Sequence, residues 1–132
     1  MDVGGTEKHV IRLAAGLKHK GYDVGIVSVF REGSLAGEIR KEGLHFHSLE
    51  AKGGWEAGTL IKIFQWLSKT QVDILHTYLF GFHLFAGMLA RLLKVPVIFS
   101  SRREIPDWQK KRHAWLERFG NFFADRVICC SE

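Results

Sequence analysis

Three short groups of residues have the types and spacing for chemistry. In DVGGTEKHV, Gly4 and Gly5 stand directly before a helical pattern. Glycines let a backbone approach a ligand closely, and the first N–H groups of a helix, with its dipole, attract phosphate. A tight turn would use the same pair. Thr6 is placed to cap the helix and Glu7 to meet its positive end. His76 closes the apolar run DILH. Ligands of α/β sheets bind beyond the carboxyl ends of strands, so His76 is placed either to contact a ligand or to hydrogen-bond a loop. Ser100, Ser101, Arg102 and Arg103 follow the run VPVIF. Arginine pairs bidentately with phosphate or carboxylate, so one of Arg102 and Arg103 is expected in a cleft and the other in solvent. Glu104 offers either of them a neutralising partner instead. Together these residues suit recognition of an anionic, phosphate-bearing ligand.

Regular elements are needed to hold these groups. EKHVIRLAAGLKHKG carries an apolar stripe at Val10, Leu13, Ala14 and Leu17, and Gly21 stops it. DVGIVSVF, 23–30, reads as a strand buried on both faces. REGSLAGEIRKEG reads as a short helix and LHFHSL, 44–49, as a strand nearer an edge. After the turn-rich 52–58 comes a helix with Leu60, Ile61, Phe64 and Leu67 on one face, then the strand DILHTY, 73–78. GFHLFAGMLARLLK reads as a helix burying Phe82, Phe85, Leu89 and Leu92, followed by the strand 95–100 and a polar loop 101–107. The segment from Trp108 reads as a helix with Trp115, Phe119, Phe122 and Phe123 inward, and DRVICCSE as a last strand. Strands and helices alternate without a hairpin signal. That predicts a Rossmann-like parallel sheet sandwiched by helices, joined by right-handed crossovers.

Composition narrows the function classes. The 132 residues suffice for one domain, and 46% hydrophobic with 25% charged residues is a globular balance. The net charge of +5 is too small and too dispersed to indicate nucleic-acid binding. Cys129 and Cys130 are adjacent, with Cα atoms about 3.8 Å apart, so they make no ordinary disulfide framework. That suits a reducing, cytoplasmic compartment. The most apolar run, 79–90, is far shorter than the ~20 residues of a membrane span. The two thiols could bind a metal but have no CxxC partner, and no DxD-like acidic cluster suggests one.

GGTEKHVIRLAAGLKHKGYDV resembles the opening of the family 4 retaining glycosyltransferases with the GT-B fold. DILHTYLFGFHLFAGMLARLLKVPVI, SSRR and ADRVICCSE agree in order and spacing, so the resemblance covers essentially the whole chain. It implies that 1–132 form a partial N-terminal, acceptor-side domain. In the family a strand precedes the glycine turn, between those corresponding to 23–30 and 73–78, and a second Rossmann-like domain carries most nucleotide-sugar contacts. The chain therefore reads as a truncated domain, expected to be poorly stable, prone to self-association and inactive alone. The parent enzyme, with no cofactor and no bound metal expected, would move a sugar from a nucleotide-sugar donor substrate to an acceptor glycan or lipid-linked sugar.

The resemblance also implies contacts to the substrate or the donor phosphate from Gly4, Gly5, His76, Tyr78, Ser101, Arg102 and Arg103, without naming a catalytic residue. Two departures stand out. Many relatives carry a second histidine where this chain has Tyr78, and several carry a histidine near the transferred sugar where this chain has SSRR. Lys110, Lys111, Arg112 and Arg118 interleaved with Trp108 and Trp115 point to peripheral contact with the inner face of a membrane, or to a solvated helix face. A non-enzymatic Rossmann-like module binding an anionic ligand or partner is the competing reading. A dinucleotide oxidoreductase is disfavoured: there is no GxGxxG, and Phe30 and Arg31 stand where a ribose-binding acid is needed.

Overall fold

The computed structural model describes residues 5–30, 33, 36–52, 56–78, 82–102, 115 and 118–129. The chain divides into two compact units, Met1–Lys62 and Ile63–Glu132. Its architecture is α/β, with every strand pairing parallel to its neighbour and helices packed on the strands.

The first unit contains α1 (Gly5–His19), β1 (Gly25–Ser28), α2 (Ala36–Lys41), β2 (His45–Ser48) and the start of α3 (Ala57–Lys69). β1 and β2 run in register from Gly25 opposite His45 to Ser28 opposite Ser48. Beyond Ser28 the ladder continues into loops: Leu49 N–H donates to Ser28 C=O at 2.8 Å and Ala51 N–H to Val29 C=O at 2.9 Å. Ile11, Ala14, Ile26, Ile39 and Leu44 form the core, with Val10, Val24 and Phe46 against it. α1 and α2 end alike. Gly21 (φ 92°) and Gly43 (φ 64°) take the left-handed conformation, which a side chain disfavours. At each, the next residue's N–H reaches back over the last turn, Tyr22 to Leu17 C=O and Leu44 to Ile39 C=O, closing a Schellman motif. The Lys18 ammonium donates to Gly43 C=O, and Lys62 Nζ donates to Leu49 and Glu50 carbonyls at 2.9 and 3.0 Å.

The second unit holds the rest of α3, β3 (Ile74–Thr77), α4 (Phe82–Leu92), β4 (Val97–Arg102) and β5 (Arg126–Cys129), in the strand order β3-β4-β5. Ile98 is 1% exposed at the centre of β4. Asp125 fixes the approach to β5. Its N–H donates to Ile98 C=O, its Oδ2 accepts the Ile98 N–H, both at 2.7 Å, and its Oδ1 accepts from Arg91 Nη2 at 2.6 Å. Arg91 Nε also donates to Phe123 C=O at 3.1 Å. One side chain of α4 thus secures both β4 and the turn into β5. These hydrogen bonds, led by that from Arg91, hold the Asp125 carboxyl below its ordinary range. α4 closes with the Schellman pattern too, but with Lys94 (φ 59°) in the left-handed position.

The helical stripes depart from the sequence reading in rotation. α1 buries Ile11 and Ala14, whereas Leu13 and Leu17 are exposed. α3 buries Thr59, Ile63 and Leu67 and exposes Ile61 and Phe64. α4 buries Leu84, Ala86 and Ala90, and leaves Leu92 68% exposed. Each helix has apolar residues on more than one face, so periodicity alone allowed a stripe turned by one residue. The buried face pairs an alanine with a larger apolar residue on both α1 (Ile11, Ala14) and α4 (Leu84, Ala86, Ala90). Around 118–121, which are helical, the inward reading is reversed. Trp115 is 64% exposed, Phe119 is exposed, Phe122 is 81% exposed, and Phe123 is half-buried. The anticipated polar loop 101–107 also begins later, because β4 runs through Ser101 and Arg102.

Candidate functional site

The carboxyl ends of β3 and β4 lie side by side, with His76 opposite Phe99 and Thr77 opposite Ser100. Side chains alternate across a sheet, so His76 and Tyr78 share one face with Phe99 and Ser101, while Ile98 and Ser100 point to the other. On that shared face three polar groups meet. His76 Nε2 lies 2.7 Å from Ser101 Oγ, and His76 Nδ1 lies 3.0 Å from Tyr78 Oη. The imidazole and phenol rings are 4.2 Å apart, tilted by 31°. The edge of Phe99 meets the imidazole at 5.9 Å, so an apolar wall fixes the ring from the strand below. Thr77, on the opposite face, donates from Oγ1 to Phe99 C=O at 3.3 Å. All three members of the chain are half-buried. That arrangement suits hydrogen bonding to a ligand at the strand ends, with the imidazole held between two hydroxyls.

Of the residues expected in the site, His76, Tyr78 and Ser101 are therefore brought together. Arg102 ends β4, directly after Ser101; its side chain, like Arg103 and Gly4, lies outside the described residues. Gly5 begins α1 in the first unit, and among the described residues no atom lies within 4 Å of where its Cβ would stand. Ser28 and Ser48, at the ends of β1 and β2, both donate to Phe30 C=O, at 3.2 and 2.7 Å, and so are occupied in closing their own loop. The sequence reading did not foresee Phe99 as the wall of the site. The signal was there: His76 and Tyr78, like Phe99 and Ser101, are spaced by two at the ends of successive parallel strands.

Among the described residues, no group of three His, Cys, Asp or Glu side chains is placed to hold a metal ion, and no helix is long and apolar enough to cross a membrane. A separate open groove of about 400 Å³ is lined by Trp115, Arg118, Phe119 and Phe122. Trp115 stacks on Phe119 with centroids 5.7 Å apart, which keeps this aromatic face continuous.

Comparison with curated proteins and with solved structures gave no match. The family model for Glycosyltransferase Family 4 matches residues 3–132, and with it the strand ends that carry His76, Tyr78 and Ser101. The chain belongs to glycosyltransferase family 4.

Proposed function

We propose that this domain serves a retaining, GT-B type transfer of a sugar from a nucleotide-sugar donor to an acceptor glycan or lipid-linked sugar. In that transfer the acceptor oxygen bonds the anomeric carbon as the bond from that carbon to the diphosphate breaks. The acceptor's proton leaves with a diphosphate oxygen. The protein's task is to position the acceptor hydroxyl and to stabilise the departing charge. The observation that carries this reading is the Tyr78–His76–Ser101 chain at the carboxyl ends of β3 and β4, in a domain of this family. Hydroxyl and imidazole groups there suit sugar and phosphate oxygens, and Arg102 and Arg103 follow in sequence to supply positive charge.

The test is a nuclear magnetic resonance titration of the 132-residue chain with a panel of nucleoside diphosphates, nucleotide sugars and oligosaccharide acceptors. Shifts at the His76 and Ser101 signals on adding a member of the panel, lost in Ser101→Ala, support the reading. Absence of any response at these residues refutes it.

A second feature supports work at the inner face of a membrane, in the cytoplasm. Trp115, Phe119 and Phe122 present an exposed aromatic face beside Arg118. Aromatic rings seat at the level of lipid headgroups, and arginine pairs with anionic phosphates. Lys110, Lys111 and Arg112 precede this face in sequence. An anionic bilayer is the surface that complements it, and an acceptor carried on a lipid would be met there.

A further inference from the structure

We infer that Tyr78 acts on Ser101 through His76, so that the three side chains form a one-way hydrogen-bond relay ending in a donor for a phosphate oxygen. The direction follows from the chemistry of the two contacts. A phenol is a strong O–H donor and a weak acceptor, while the neutral imidazole nitrogen without a proton is a strong acceptor. The 3.0 Å contact of Tyr78 Oη with His76 Nδ1 is therefore best satisfied with Tyr78 donating. That places the single imidazole proton on Nε2. At 2.7 Å, Nε2–H then donates to Ser101 Oγ. Ser101 then serves as acceptor in that bond, which directs its own hydrogen to an acceptor other than His76. Each bond polarises the next in such a chain, so the terminal hydroxyl is a better donor than an isolated serine.

The opposite polarity would have different chemistry. With the proton on Nδ1, Nε2 would accept from Ser101, and the serine oxygen would become a base-activated nucleophile. Tyr78 at the third position separates these outcomes. A carboxylate there would accept from Nδ1–H and hold the nucleophilic arrangement; a phenol favours the reverse. The relay therefore gives Ser101 the role of binding an anionic phosphate oxygen, with His76 and Tyr78 as positioning residues. The hydrogen-bond direction stands on the contacts alone, whereas assigning the phosphate to a sugar nucleotide rests on the proposed function.

The experiment uses the 132-residue chain with ¹⁵N-labelled histidine, at a pH where the imidazole is neutral. Long-range ¹H–¹⁵N spectra report which ring nitrogen of His76 carries the proton. The Nε2–H form is expected in the native chain and in Ser101→Ala, and a shift toward a mixture of tautomers in Tyr78→Phe. Inorganic phosphate and a nucleoside diphosphate are then titrated separately. Both are expected to perturb His76 Nε2 and the Ser101 amide, with affinity at least about 10-fold weaker in Ser101→Ala, as for loss of a hydrogen bond to a charged group. An Nδ1–H tautomer in the native chain overturns the relay. So does a Tyr78→Phe spectrum identical to the native one. The stated tautomer with no response to either anion overturns the phosphate assignment. A response to inorganic phosphate but to no nucleotide or nucleotide sugar upholds the relay and removes the glycosyl-transfer reading instead.

Discussion

Ile98 is the position where core packing and the site are most directly linked, and truncating it gives a calculable effect. The side chain is 1% exposed, on the face of β4 opposite Phe99 and Ser101. Ile98→Ala removes three carbons, at ~0.8 kcal/mol each, so the transfer loss is about 2.4 kcal/mol. A cavity that the neighbours cannot fill adds up to about 2 kcal/mol more. Collapse is restricted here because both backbone groups of Ile98 are bonded to Asp125, at 2.7 Å each, which fixes the strand on that side. The expected cost is therefore between about 2.4 and 4.4 kcal/mol, a large share of the roughly 5–15 kcal/mol by which domains are stable. Ile98→Val removes one methyl and costs about 1 kcal/mol.

The chain has two compact units, so the loss is best read locally, by native-state exchange of the β4 amide protons. Protection across Val97–Arg102 should fall between about 50-fold and 1,000-fold in Ile98→Ala, taking 1.4 kcal/mol per factor of ten. In Ile98→Val it should fall by less than about 15-fold, and His76 should keep its contact with Ser101, whose face is untouched. A drop below about 5-fold in Ile98→Ala would show that this side chain is not closely packed. Burial of Ile98 would then not be what holds β4, and with it Ser101, in place.

Three further outcomes are expected. Gly21→Ala, at φ 92°, should cost about 1 kcal/mol, and Lys94→Gly, at φ 59°, should gain about 0.5 kcal/mol; opposite displacements of the urea midpoint would confirm the pair, and equal signs would contradict it. The Asp125 carboxyl is held below its ordinary value of 3.8, chiefly by the Arg91 hydrogen bond and then by the Ile98 N–H. Because the folded state binds this proton more weakly than the unfolded chain, the clamp contributes in full above that ordinary value and is lost as pH falls through the lower, folded one. Asp125→Asn should thus lower the melting temperature at pH 7 and flatten its decline in acid; an unchanged acid limb would refute this. Trp115→Ser combined with Phe122→Ser should reduce sedimentation with phosphatidylglycerol-rich vesicles at least about 10-fold, since each ring carries roughly 2 kcal/mol of apolar burial. Undiminished sedimentation would detach the aromatic face from membrane binding.

The order of elements was legible because strands and helices differ in period, and because Gly21 and Gly43 mark helix ends by a conformation that side chains avoid. The rotation of each helix was not legible to the same degree. In α1, Val10, Ile11, Leu13, Ala14 and Leu17 spread over an arc of about 160° at 100° per residue, wide enough for the buried stripe to centre on either side of it. Which stripe is buried depends on the partners that the fold supplies, here Ile26, Ile39 and Leu44 in one cluster with Ile11 and Ala14, rather than on periodicity. The aromatic run near Trp115 misled for a related reason. An apolar face predicts that something covers it, and a lipid surface satisfies that prediction as well as a protein core does.

The site shows where sequence spacing ceases to be enough. His76 was recognisable by its place at a strand end, and Ser101 and Arg102 by theirs, but 25 residues separate His76 from Ser101. Their meeting depends on the register of β3 against β4, and a slip of one residue would move Ser101 to the far face and bring Ser100 or Arg102 toward the imidazole. That register is held by the Val97 N–H on Asp73 C=O at the start of the ladder and by the Thr77 hydroxyl on Phe99 C=O near its end, while the Asp125–Arg91 clamp on Ile98 holds β4 on its other side, against the approach to β5. The residue two positions past His76 acquires meaning only in this frame. A second imidazole could present either a donor or an acceptor to His76, whereas the phenol biases the pair toward one proton arrangement. In the proposed relay, Tyr78 therefore supplies a direction for the hydrogen-bond chain as well as a partner in it.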